Sequence, residues 1–177
     1  MKEIERKFNI KSIPDDFEYD KVVFITQIYT ESNKKYSIRL REEFEIDIED
    51  GMDLNNFDTF MKLELNSIKD KKYYQTVKSK GDFIRDEYEV EVDSNMFYFL
   101  HDMCVKLHKI RFYFDKNKSI DLYLDDMKLF TNHKKLEVEF KDLKTANSFL
   151  PDYWYGEEVT GEKSFSDEYL ANKLNII

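Results

Sequence analysis

The chain has 177 residues, 41% of them hydrophobic and 16% aromatic, and a formal net charge of -9. That length and apolar content suit one domain with its own core, and the acidic balance argues against non-specific nucleic-acid binding or residence on an anionic membrane. Two prolines, four glycines and one cysteine, Cys104, exclude a fibrous, low-complexity or disulfide-stapled class. The N-terminus, MKEIERKF, carries charges where a secretory leader would be apolar, and no run approaches the ~20 apolar residues of a membrane span. The expected setting is the cytoplasm. In chain order, period-two alternation marks strands at 2–10, 21–31, 34–43, 71–80, 83–92, 108–115, 118–126 and 134–141. Turn signals at Ser32–Asn33, Gly81–Asp82 and Lys116–Asn117 join three pairs of them as hairpins, which implies antiparallel pairing. Residues 44–70 read as an insertion, as an extra hairpin or a lid. A helix is predicted over 94–107, capped by Ser94 and with Phe97, Leu100, Met103, Cys104 and Leu107 on one stripe. A shorter one follows at 143–150, and Ser166 caps a last helix carrying Tyr169, Leu170 and Leu174. The predicted class is α+β: a single domain over 1–177, built as a closed eight-stranded antiparallel β-barrel with a few flanking helices. Closure removes exposed strand edges.

The charges follow strand parity. Glu3, Glu5 and Lys7 share one face of their strand; so do Arg39 and Arg41, Lys78 and Lys80, Lys109 and Arg111, and Glu137 and Glu139. Arg85, Glu87, Glu89 and Glu91 line one face while Tyr88, Val90 and Val92 line the other. For any single strand, a charged face turned to water explains this well enough. The repetition of same-sign i, i+2 pairs over six strands favours another reading, because surface sheets usually intersperse signs. Basic pairs grip phosphate oxygens, and carboxylate pairs hold Mg²⁺ or Mn²⁺. A barrel with its charged face inward would be a wet, polar tunnel, repulsive when empty and complementary to a polyanion with its metal.

The start EIERKF, then Arg39-Leu-Arg41, Thr76-Val-Lys78, Arg85-Asp-Glu87-Tyr-Glu89-Val-Glu91, Lys109-Ile-Arg111, Asp125 and Glu137-Val-Glu139 resemble, in order, the motifs of CYTH domains, the triphosphate tunnel metalloenzymes. The tail WYGEEVTGEKSFSDEYLA (154–171) is similar to the ending of the small bacterial tripolyphosphatases of that family. The resemblance implies an eight-stranded tunnel that takes triphosphate with Mg²⁺ or Mn²⁺. It implies phosphate contacts from Lys7, Arg39, Arg41, Lys78, Arg85, Lys109, Arg111 and Lys163, and metal service from Glu3, Glu5, Asp125, Glu137 and Glu139. Glu5, Lys78, Arg85 and Glu89 are the candidates for catalysis. Lys80 and Glu91 have the right parity with less motif support, and Asp121 shares the parity of Asp125, whose spacing from Arg111 is preferred. The chain departs from the pattern at Phe165, where Tyr is usual, at Asp167, where Asn is usual, and at TNHKK (131–135), where a glycine-containing turn is usual.

His101, His108 and His133 lack metal-ligand spacing and read as structural or surface residues, while Cys104 reads as core and Trp154 as a packing anchor. The expected activity is metal-dependent hydrolysis of a triphosphate, inorganic tripolyphosphate first. Relatives with the same grip act as adenylyl cyclases or as thiamine, nucleoside or RNA triphosphatases, and a non-catalytic sensor of triphosphorylated ligands would need the same site. The expected partner is a triphosphate-containing small molecule, without a membrane; a homodimer is left open.

Overall fold

The computed structural model describes the backbone of residues 2–48, 51–55, 70–81, 83–125 and 128–174, and their side chains apart from those of 125, 128–132 and 174. The strands are β1 (Lys2–Ile10), β2 (Lys21–Ser32), β3 (Tyr36–Glu45), β4 (Lys72–Ser79), β5 (Ile84–Glu91), β6 (Val105–Phe114), β7 (Lys118–Asp125), β8 (Lys128–Glu139) and the short β9 (Glu157–Glu158). Helices α1 (Ser94–His101), α2 (Leu143–Ser148) and α3 (Asp167–Leu174) flank them, with a 3₁₀ turn over Lys163–Phe165. All pairings are antiparallel, in the circular order β1-β5-β4-β3-β2-β6-β7-β8 and back to β1. The β1–β5 pairing makes the closure, with Glu3 opposite Arg85 and Ile4 opposite Ile84. The sheet is therefore the closed eight-stranded barrel that the alternation predicts, with β9 added beside β1.

Because successive side chains alternate, each strand presents its apolar set outward and its charges inward. Phe8, Phe24, Phe44, Ile110, Phe112, Ile120, Leu122, Leu136 and Val138 form one outer cluster, packed under Phe17, Ile46, Ile48, Met52, Leu54, Phe149, Trp154 and Tyr155. Fully burying a side chain of this size contributes ~1.5–3 kcal/mol, so the loops that cover the barrel are as necessary to it as the strands. Phe97 of α1 covers a second patch made by Ile28, Leu40 and Tyr73. The side chain of Asn55 accepts from Ile13 N–H and donates to Ile13 C=O, both at 2.8 Å, and so fastens the segment after β3 to the loop before β2. Gly156 has φ 60°, and a Cβ there would meet the Asn9 carbonyl at 2.3 Å, so glycine lets the tail lie against β1. Arg6, facing outward, grips Glu158 through Nε at 2.8 Å and Nη2 at 2.6 Å.

Several boundaries differ from expectation. The helix predicted over 94–107 ends at His101, and β6 begins at Val105 because that stretch pairs with β2 from Tyr29 onward. Leu107 thus belongs to a strand, and Met103 is exposed. Asp93, not Ser94, caps α1, accepting from Asn95 N–H at 2.8 Å. Ser166 does cap α3, its Oγ accepting from Tyr169 N–H at 3.2 Å. β3 starts at Tyr36 because the Asn33 side chain holds the turn, accepting from the N–H of Lys35 and Tyr36. The proposed insertion at 44–70 overlaps the end of β3, and most of the expected hairpin or lid, residues 56–69, lies outside the described residues. Among the described residues no helix is long and apolar enough to cross a membrane.

Candidate functional site

The inward face of the barrel bounds a cavity of about 900 Å³. β1 supplies Glu3, Glu5 and Lys7, β3 Arg39 and Arg41, β4 Lys78, and β5 Arg85, Glu87 and Glu89. β6 adds Lys109 and Arg111, and β8 adds Glu137 and Glu139. Lys163 lines the same cavity from the 3₁₀ turn, as does Lys80 just beyond β4. Of the predicted candidates, Asp125 ends β7, its backbone paired with Lys128, and its side chain is outside the described residues. Glu91 lies opposite Tyr74 at the end of β5, apart from the residues that line the cavity.

The expectation of separate like-charge clusters is corrected by the cross-strand register. Across neighbouring strands Arg85 meets Glu3, Lys78 meets Glu87, Lys7 meets Glu137 and Arg111 meets Asp121, while Glu5 faces Glu139. Lys78 Nζ lies 2.8 Å from Glu3 and 3.2 Å from Glu87. Arg85 contacts Glu3 at 3.0 Å and also pairs with Glu5. Lys7 lies 2.8 Å from Glu5 and 3.5 Å from Glu137. Glu89 accepts from Thr76 at 2.6 Å and from Arg41 at 3.0 Å. Arg39 holds its carboxylates loosely, Glu87 at 3.9 Å and Glu89 at 4.0 Å, and donates to Gln27 Oε1 at 3.3 Å. The Nε of Arg39 is buried without a hydrogen-bond partner, whereas the Nε of Arg41 lies 3.3 Å from the Glu43 carboxylate. A buried donor left unmet costs free energy, which makes Arg39 a point at which an added anion gains.

A tighter group sits where α3 meets the barrel. Asp121 is fully buried and accepts from Lys109 at 2.7 Å and from Arg111 at 2.6 and 2.7 Å. Glu137 accepts from Arg111 at 2.7 Å and pairs with Lys135 at 2.9 Å. Asp167 accepts from Lys135 at 2.5 Å, from Lys109 and Tyr123 at 2.7 Å, and from Gln27 at 3.2 Å. Sequence reasoning missed Lys135, although it shares parity with Glu137 and Glu139. It gave Asp121 second place to Asp125, and it assigned Asp167 to the closing helix alone. The residues of α3 behind it, Leu170 and Ala171, pack on Leu107 and Tyr123.

The protonation equilibria record this field. Burial alone would raise Glu3, but Lys78 and Arg85 hold it down at about 2. Burial opposes ionisation of Glu137 and Asp167 too, yet the lysines around them keep both well below the usual carboxylate range. Burial and the adjacent Arg39 push Lys78 down, and burial with Arg111 pushes Lys109 down to about 8. Glu139 behaves oppositely. It makes no ion pair among the described residues, and desolvation in the lumen, with Glu137 and Glu3 nearby, pushes its carboxyl up. A carboxyl raised in this way is favoured in its ionised form by any cation that binds beside it. Asp121, Glu137 and Asp167 also bring carboxylate oxygens within 4.8 Å of one another, but Lys109, Arg111 and Lys135 already neutralise them.

No protein-family model matches the chain. The chain is 29% identical to the inorganic triphosphatase of Nitrosomonas europaea (strain ATCC 19718 / CIP 103999 / KCTC 2705 / NBRC 14298), in a match that covers 97% of each. It is similar to the crystal structure of the hypothetical protein NE1496, with TM-score 0.57, 26% identity and 99% of each chain covered. It is also similar to the crystal structure of the inorganic triphosphatase NE1496, with TM-score 0.53 and 26% identity over 96% of this chain and 93% of that one. Over nearly its whole length, then, the chain resembles in both sequence and fold a protein named as an inorganic triphosphatase.

Proposed function

We propose that the chain is a CYTH-type enzyme that hydrolyses inorganic triphosphate held in the barrel lumen, with Mg²⁺ or Mn²⁺ as cofactor. The observation that carries this reading is a cavity of about 900 Å³ lined from neighbouring strands by Arg39, Arg41, Lys78 and Arg85, with the Nε of Arg39 buried and without a hydrogen-bond partner. A chain of phosphates presents acceptors in series, which suits cations delivered two residues apart from several strands. Lys7, Arg39, Arg41, Lys78 and Arg85 hold the phosphates, with Lys163 at the rim and Lys109 and Arg111 adding positive charge from within their ion pairs. Glu139, opposite Glu5 in the β1–β8 register, would hold the metal together with Glu3, Glu5 and Glu137. A divalent ion bound there would supply Lewis-acid polarisation of a phosphoryl oxygen and a more acidic water. Glu5 and Glu89 orient the attacking water, and Lys78 and Arg85 stabilise charge on the transferring group.

The test is turnover of tripolyphosphate with Mg²⁺ or Mn²⁺, followed by phosphate release. Cyclic nucleotide from ATP would instead indicate a cyclase, and tight binding without product a sensor.

A further inference from the structure

Asp167 has the surroundings of a bound anion. Its carboxylate is reached by Lys135 at 2.5 Å, by Lys109 and the Tyr123 hydroxyl at 2.7 Å, and by Gln27 at 3.2 Å. Two ammonium groups, a phenol and an amide are the donors a terminal phosphate would use. Arg39, elsewhere in the lumen, is held less completely. It meets its carboxylates only at 3.9 and 4.0 Å, and its Nε has no hydrogen-bond partner. It can turn to a ligand, whereas Lys109 and Lys135 are already committed. The group around Asp167 is also charge-balanced, with Lys109, Arg111 and Lys135 against Asp121, Glu137 and Asp167. A further phosphate brought here would meet a fixed carboxylate at close range, and like charges so juxtaposed repel.

We propose that Asp167 is a specificity-determining residue: it fills an anion position of the lumen and so limits how many phosphates the site accepts. This rests on the reading of the lumen as a triphosphate site. The position of Asp167 at the start of α3 makes the limit part of the fold, since Leu170 and Ala171 fix the helix against Leu107 and Tyr123. Its carboxylate therefore stays in place as the ligand arrives.

The experiment is a calorimetric titration of orthophosphate, pyrophosphate, tripolyphosphate and tetrapolyphosphate, without divalent metal, into wild type, Asp167→Asn and Leu170→Ala. In wild type, affinity should rise with each phosphate up to three and not beyond. Asp167→Asn keeps the shape of the side chain while releasing the charge, so the rise should continue to four, with tetrapolyphosphate about tenfold tighter relative to tripolyphosphate than in wild type. Leu170→Ala loosens the helix without removing the carboxylate and should keep the wild-type limit. An Asp167→Asn series that stops at the same length overturns the inference, as does a Leu170→Ala series that also extends to four, since the effect would then belong to helix anchoring. Absence of any length dependence in wild type overturns the triphosphate reading itself. A gain in affinity cannot arise from a variant that fails to fold, so the expected result is free of that ambiguity.

Discussion

Arg85 lies opposite Glu3 in the β1–β5 register and grips its carboxylate at 3.0 Å, so the seam that closes the barrel is also a seam between lumen charges of opposite sign. Removing either partner strands the other inside the barrel. Arg85→Ala should therefore lower stability by roughly 1–3 kcal/mol, as should Lys78→Ala, which leaves Glu3 and Glu87 less well paired. At roughly 2–4 °C per kcal/mol this is readable as a fall in melting temperature. Both variants should also lose roughly 100-fold or more in turnover. Melting and kinetics on the same samples check this; unchanged melting would mean that the pairs are not formed in solution.

Ligand and stability should be linked. Tripolyphosphate with metal adds negative charge at Arg39 and Arg41 and positive charge at Glu139, and what binds only the native state stabilises it, by about 2.7 kcal/mol at one hundred times the dissociation constant. Thermal melting should rise by several degrees with both together, less with either alone, and least with orthophosphate. Arg39→Ala/Arg41→Ala should abolish the shift. Equal protection by orthophosphate would contradict the proposed site.

The lumen should titrate at both ends of the pH scale. Glu3 is held at about 2 against 4.5 for a free carboxyl, so its contribution is full above pH 4.5 and is lost as pH falls toward about 2. Lys109 lies at about 8 against 10.5, so the folded protein holds that proton more weakly than the unfolded chain. Its burden on stability is relieved as pH rises from about 8 toward 10.5, while the lumen loses a positive charge. Anion affinity should fall as pH passes about 8, and Lys109→Arg, which stays charged, should move that fall upward. A wild-type affinity flat between roughly pH 7 and roughly pH 9.5 would count against it.

Chelation should abolish turnover, and Mg²⁺ or Mn²⁺ should restore it. Glu139→Gln removes the unpaired carboxylate and should raise the metal concentration needed for half-maximal activity by roughly tenfold or more, with little change in melting temperature. Full activity in excess chelator would sink the metal assignment.

The strand alternation and the i, i+2 charge pairs were legible because they are local: period two along a strand decides which side chains share a face, whatever the partner strand is. From that alone came a barrel with its charges inward and its phenylalanines outward. Register is not local. It placed Arg85 against Glu3 and Lys78 against Glu87, turning rows of like charge into ion pairs, and it moved Val105 and Leu107 from a helix into β6. Lys135 and Asp167 escaped notice for the same reason. They are 32 residues apart, on a strand and a helix, and only the seating of α3 on the barrel brings Nζ and carboxylate to 2.5 Å. Sequence periodicity thus determined which face of each strand carries the charges, while closure and helix docking decided which of those charges are already satisfied and which remain open to a ligand.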